Sequence, residues 1–323
     1  MLEVLRPGAL TTVQDLGREG SRHLGVAQCG ALDRDALIVG NLLLGNPVEA
    51  AGLEITLGPV AVRFTRDTWF ALTGADFQAT LDGVPQWAGW SQRALAGQTL
   101  QLNGSLLGMR AYLTVAGGIE VPRVMGSRAT DLKAGFGGLA GRALQLGDRL
   151  PVGEGASALA RRGGGWRAWQ PTIRVLPGPE LAECDAVSQV RFWQQVWRVS
   201  PQSDRMGYRL QGEPMGFTRP QNLLSHAVLP GLIQLPPAGE PIILMADAQT
   251  TGGYPRIGCV VEPDLWKLAQ ARPGSLLHFI SCDQAGARAA RAERRHRLVR
   301  LTLALRGASP TPLQEALTPC ESI

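Results

Sequence analysis

The chain has 323 residues, 45% hydrophobic and 18% charged, with a formal net charge of +5. That length suffices for two ordinary domains, each with its own core, and no apolar run approaches the roughly 18 to 20 residues of a membrane-spanning helix. The start, MLEVLRPG, lacks a basic stretch followed by an apolar one, so no signal peptide is expected and a cytoplasmic protein is.

Cys29, Cys184, Cys259, Cys282 and Cys320 stand singly, without a CxxC spacing, which argues against a zinc site and a disulfide framework. Only Lys133 and Lys267 are lysines; the rest of the positive charge is Arg. The densest basic run, Arg288 to Arg300, falls on an expected terminal helix. It reads as a solvated helix face rather than a nucleic-acid footprint, because no aromatic residues interleave with it.

In chain order, Leu2–Leu5 is a short apolar strand broken by Pro7-Gly8. The segment TTVQDLGREGSRHLGVAQCGALDRDA that follows has four glycines and no sustained period, and reads as a long ordered loop, a kind of segment that tends to be functional. Asp33 can cap a helix running to about Leu44, with Gly45 just past its end. Val60, Val62 and Phe64, then Leu100 and Leu102, alternate with period two, and Leu81-Asp82-Gly83-Val84 has hairpin-turn chemistry. Short strands with glycine turns indicate an antiparallel barrel or sandwich. A glycine, two residues, a Leu and an alternating strand recur at Gly97, Gly147 and Gly274.

The Gly/Arg-rich stretch 161–167 reads as a linker, after which Ile173–Gly178 echoes Val4–Gly8, so the main boundary is placed near residue 165: a domain over 1–165, a second over 166–300, and a tail over 301–323. In the second domain a helix is expected over Asp185–Trp197, with Phe192, Trp193 and Trp197 in the core. Ser203–Leu210 is expected as a polar turn, Leu232–Leu235 as a strand, Glu262–Ala271 as a helix, and Pro273-Gly274 as the start of a last strand through Ile280.

One stretch concentrates chemistry. Ile242–Met245 is a buried strand feeding the polar segment ADAQTTGGYPRIG. Gly252-Gly253 can adopt φ > 0 and let a ligand approach main-chain N–H groups, with Asp247, Gln249, Thr250, Thr251, Tyr254 and Arg256 around them. A capped hairpin turn fits the same composition. The chain has no Walker A, G-x-S-x-G or H-E-x-x-H motif, and its four histidines are dispersed; His226, in SHAVLPG, is the one to follow.

TTVQDLGREG (11–20), GALDRDAL (30–37), NLLLGN (41–46), LTVAGGIEVPRVMGSRAT (113–130), GRALQLGDRLPVG (141–153), SDRMGYRL (203–210) and LPPAGEPIILMADAQTTGGYPRIG (235–258) resemble the biotin-dependent carboxyltransferase, or allophanate hydrolase subunit 2, family, and within it the branch of the C-type component of 5-oxoprolinase. The resemblance covers nearly all of residues 1–300. It implies a mainly β fold of two tandem cyclophilin-like β-barrel domains with a few short helices. It also implies ATP-dependent opening of 5-oxoproline to glutamate with A-type and B-type partner subunits. A relative in the family is one domain of urea carboxylase, where substrate meets carboxybiotin. Neither Lys133 nor Lys267 has an M-K-M context, so no covalently bound biotin is expected on this chain.

The chemistry so implied phosphorylates a lactam oxygen, and developing negative charge needs positioned cations and donors more than a nucleophile. Arg205, Arg209 and Arg256 can supply charge; Gly252, Gly253, Thr250 and Thr251 can complete an anion cradle; Asp247 can hold Mg²⁺ or orient an arginine. Gln14 and Asp15 are candidates to close the same cleft from the first domain. For Arg205 with Asp247, an inter-domain ion pair is the competing reading. Three functions follow: an enzyme subunit active only in a complex with shared ATP and Mg²⁺, a carboxyltransferase acting on urea or a similar amide, and a regulatory partner of the B-type subunit.

Overall fold

Along Val60–Phe64 and Thr99–Leu102 every second side chain is buried, so Val60, Val62, Phe64, Leu100 and Leu102 form one inward face. In the computed structural model, which describes residues 1–155, 159–164, 167–221 and 223–306, that face belongs to a six-stranded sheet. Its order is Arg149–Leu150, Leu2–Arg6, Val60–Phe64, Thr99–Leu102, Thr80–Leu81 and Val84–Pro85. A second sheet, of five strands, runs Leu10–Gln14, Gly52–Thr56, Arg110–Val115, Thr68–Gly74 and Trp90–Ala94. The two share one core, in which Phe64 and Phe70 stack with ring centroids 5.2 Å apart. Each large apolar side chain so buried contributes about 1.5–3 kcal/mol.

The second half closes on itself. Thr172–Pro177, Arg256–Val260, Leu232–Gln234, Ile242–Leu244, Gly207–Gln211, Trp197–Val199 and Leu276–Ser281 form a seven-strand barrel. The first and last strands meet in parallel, Thr172 opposite His278, and closure leaves no edge among these strands. Phe192 and Trp197 lie in its core with Phe279. A separate two-stranded ladder pairs His226–Ala227 with Thr251–Gly252.

The first helix, α1 (Arg34–Leu43), starts where expected, with the Asp33 carboxylate accepting from the Ala36 N–H at 3.0 Å. Nine of its ten residues are buried, because it lies against the five-stranded sheet on one side and a helix on the other. Gly40 permits the close approach: a Cβ there would sit 2.7 Å from Thr114 Oγ1. The second helix, α2 (Ala186–Gln194), is capped by Asp185 and stops before Trp197, which opens a barrel strand instead. A 3₁₀ turn, Glu262–Asp264, precedes α3 (Leu265–Gln270).

The last helix, α4 (Gln284–Arg306), continues past residue 300, where a tail was expected; its Leu298 packs among Ile38, Val39, Leu42 and Leu43 of α1. The C-terminal helix therefore returns to the first half. No helix among the described residues is long and apolar enough to cross a membrane.

Gly97, Gly147 and Gly274, the three recurring glycines, all have φ between 85° and 90° and lead into strands beginning at Thr99, Arg149 and Leu276. Two expectations need correction. Leu10–Gln14 is a strand rather than the start of a loop, and Gly207–Gln211 turns half of the expected polar turn 203–210 into barrel wall. In both, pairing with a distant strand overrides weak local signal.

Candidate functional site

Where the two halves meet, Arg205 is 4% exposed. Its Nε and Nη2 donate to the two carboxylate oxygens of Asp247 at 2.9 and 2.8 Å, Nη2 also donates to the Gly30 carbonyl at 2.8 Å, and Nη1 donates to Glu54. The other Glu54 oxygen accepts from Tyr112 Oη at 2.6 Å and from the Leu32 N–H at 2.8 Å. Arg110 lies 3.6 Å from Glu54 and donates to Tyr208 Oη at 2.7 Å and the Ala269 carbonyl at 2.6 Å. Two guanidiniums thus meet two carboxylates, neutralising one another across the junction. Burial pushes the Glu54 carboxyl up, but Arg205 and Arg110 outweigh it and hold it below the usual glutamate value. Burial works to lower the Arg205 pKa, yet Glu54 and Asp247 hold it well above its ordinary value. Of the competing reading, the Arg205–Asp247 ion pair is present, but both residues belong to the second half; the pair that crosses between the halves is Arg205–Glu54.

The other residues singled out from sequence are dispersed. Gln14 is fully buried, donating to the Thr130 carbonyl at 3.2 Å and accepting from the Gly30 N–H at 3.1 Å. Asp15 accepts from Gly17 N, Ser127 Oγ and Arg128 N. Both hold loops of the first half together, and neither lines the two clefts that flank the junction. Arg256 forks onto Glu180 at 2.6 and 3.0 Å on a partly exposed face, and Arg209 occupies an outward position of its strand. Arg205, Arg209 and Arg256 share no partner.

Neither Gly252 nor Gly253 adopts positive φ, because Gly252 is extended opposite His226 in the two-stranded ladder. Glycine serves close packing there: a Cβ would lie 2.9 Å from Gln234 Nε2 at Gly252 and 3.2 Å from the Leu223 carbonyl at Gly253. The Thr250 carbonyl accepts from Val228 N at 3.0 Å. The carbonyl of Gln249 accepts from Arg22 at 2.8 Å, Thr251 is exposed, and so is Tyr254. Among the described residues no group of three or more His, Cys, Asp or Glu side chains converges as a metal cluster. Cys29, Cys184, Cys259 and Cys282 are free, while Cys320 lies outside the described residues. Burial raises the Cys29 thiol well above the ordinary value, so it is not a thiolate nucleophile.

Of the two clefts, one, of about 430 Å³, is lined by Asp33, Gln270, Trp169, Trp266 and Arg297. There Asp33 accepts from Gln270 Nε2 at 2.9 Å, and burial pushes its carboxyl up to about 6. The other, of about 540 Å³, runs beneath α4 and has an apolar floor that includes Leu176, Leu244, Val260 and Leu265, with Arg34, Arg288, Arg291 and Arg294 on its walls. Asp35 sits between the two clefts and lines both. It accepts from Arg167 at 2.9 Å, from Arg294 at 2.6 Å and from Arg297, and so fastens α4 and the segment that precedes the barrel to α1. The basic run is therefore not simply a solvated face. Glu54, Arg110 and Asp35 escaped the sequence reading, although a lone Glu inside the apolar strand GLEIT was a usable signal.

A family model described as "Carboxyltransferase domain, subdomain A and B" matches residues 24–281. The chain is 52% identical to the C subunit of 5-oxoprolinase from Escherichia coli (strain K12) over 294 residues, covering 91% of this chain and 95% of that one. It is 42% identical to the corresponding 5-oxoprolinase C subunit from Haemophilus influenzae, covering 86% and 90%. The crystal structure of the K. lactis urea amidolyase superposes with a TM-score of 0.85 at 29% identity, over 93% of this chain but only 20% of that enzyme.

Proposed function

This chain belongs to the carboxyltransferase domain, subdomain A and B, family, and from that membership we propose that it is the C-type subunit of a cytoplasmic 5-oxoprolinase, opening 5-oxoproline to glutamate with ATP hydrolysis alongside A-type and B-type subunits. The observation that carries this reading is the end-to-end match to the Escherichia coli 5-oxoprolinase C subunit, 95% of whose length is covered. The likeness to urea amidolyase extends over 20% of that enzyme and supports carboxyl transfer only as the second reading.

Asp247, the sequence candidate for Mg²⁺, has both oxygens taken by Arg205, so the described residues do not fit a magnesium site there. We place the nucleotide and its Mg²⁺ chiefly on the partner subunits. Covalent biotin does not fit Lys267, whose Nζ is 2.7 Å from the Thr172 carbonyl and 3.2 Å from Asp264.

The test is reconstitution. The purified chain alone is expected to show negligible ATPase activity, and adding it to A-type and B-type subunits to produce ADP release that depends on 5-oxoproline. Robust turnover by the isolated chain, or a mixture indifferent to its addition, refutes the proposal. Urea-dependent decarboxylation of carboxybiotin would favour the second reading.

A further inference from the structure

Beneath α4 lies a cleft whose charge is out of balance. Of its four wall arginines, Arg294 is committed to Asp35 and Glu262, and Arg34 pairs with Glu19 at 3.2 Å. Arg288 and Arg291 line the same cleft, one helical turn apart, and make no ion pair among the described residues. Trp266 is 8% exposed, lines both this cleft and the neighbouring one, and has an indole N–H with no hydrogen-bond partner among the described residues. A buried donor without a partner, in a cleft whose walls carry two exposed guanidiniums without ion-pair partners, leaves room for an acceptor that this chain does not supply.

The floor narrows the class of acceptor. Leu176, Leu244, Val260 and Leu265 offer no hydrogen bonds from their side chains, so a ligand lying on them needs an apolar body. The cleft reaches Cys29 and Ala246, where Cys29 N–H donates to the Ala246 carbonyl at 2.9 Å, next to the Arg205–Asp247 pair. Two guanidiniums without ion-pair partners match one carboxylate, while the cleft's own carboxylates, Asp35 and Glu262, are already paired with Arg294 and so are not offered to a nucleotide's Mg²⁺.

We propose that the cleft beneath α4 binds a small carboxylate with a compact apolar body, its carboxylate held by Arg288 and Arg291 and a carbonyl or second oxygen met by the Trp266 indole N–H. Resting on the proposed 5-oxoprolinase function, this assigns the cleft to the lactam substrate, 5-oxoproline, rather than to the nucleotide. The apolar ring lies on the barrel floor, and the remaining volume is open to the group delivered from a partner subunit.

The experiment uses the full chain, alone and in the reconstituted complex. Arg288→Ser/Arg291→Ser removes two exposed side chains without ion-pair partners, and Arg300→Ser, on another face of α4, is the control. Calorimetry of the chain alone with 5-oxoproline, and separately with a non-hydrolysable ATP analogue, is paired with KM and kcat for the complex. The expected result is at least a tenfold loss of 5-oxoproline affinity or rise in its KM in the double variant. Nucleotide affinity, Tm and the Arg300→Ser variant should be unchanged. Unchanged 5-oxoproline affinity and KM in the double variant overturn the proposal, as does loss of the ATP analogue alone, which gives the cleft to the nucleotide. Should the wild-type complex show no turnover dependent on 5-oxoproline, the functional reading fails. Calorimetry with 5-oxoproline then decides the carboxylate site by itself, absence of binding overturning it.

Discussion

Arg205→Ala separates the two roles open to this residue. In the wild type one guanidinium makes two hydrogen bonds to Asp247, at 2.9 and 2.8 Å, one to Gly30 and one to Glu54. Truncation leaves both carboxylates buried with their charge opposed only by Arg110, which lies 3.6 Å from Glu54. Breaking a buried pair from one side costs about 3–5 kcal/mol. At about 2–4 °C per kcal/mol for domains of this size, Tm should fall by roughly 10 °C.

The loss depends on pH with a definite sign. Because Glu54 is held below its ordinary value in the folded state, its stabilisation is present above the unfolded value and disappears as pH falls through the folded one. The gap between wild type and variant should therefore narrow on acidification. Differential scanning calorimetry across pH, with turnover of the complex measured in parallel, checks both. A Tm within ~2 °C of wild type, less than ~1 kcal/mol on the same scale, together with lost turnover, would refute the strut and return Arg205 to the chemistry.

Asp33, raised to about 6 from 3.8, contributes stability that is full below 3.8 and lost as pH rises through about 6; NMR titration of its carboxyl should show the shifted midpoint, and an ordinary one contradicts it. Arg256→Ala removes a partly exposed pair with Glu180 and should cost about 1 kcal/mol or less in chemical denaturation, so a large loss of complex activity would point to a ligand contact. Gly83→Ala, at φ 82° in a hairpin turn, should cost about 1 kcal/mol through backbone strain alone, read from the denaturation midpoint. Gly253→Ala meets the Leu223 carbonyl at 3.2 Å without strained φ; reduced substrate affinity of the complex at unchanged Tm would show that a ligand uses that backbone.

Local chemistry was legible in the chain itself. Period-two alternation marked the strands around Val62 and Leu100, the Asp82-Gly83 turn joins Thr80–Leu81 to Val84–Pro85, and Asp33 and Asp185 cap the helices that follow them. These features are decided by covalent neighbours, whose φ preferences and hydrogen-bonding reach extend only a few residues. The motif order likewise sufficed for the family. The junction was different. Glu54 meets Arg205 across 151 positions, and Asp35 meets Arg167, Arg294 and Arg297 across 132, 259 and 262. A charge inside an apolar strand announces that it needs a partner, because burying it alone is prohibitive, but nothing local says which partner it gets. The tertiary structure alone decided that Arg205 and Asp247 belong to a buried strut, and that α4 folds back on α1 with two unmatched arginines over a cleft.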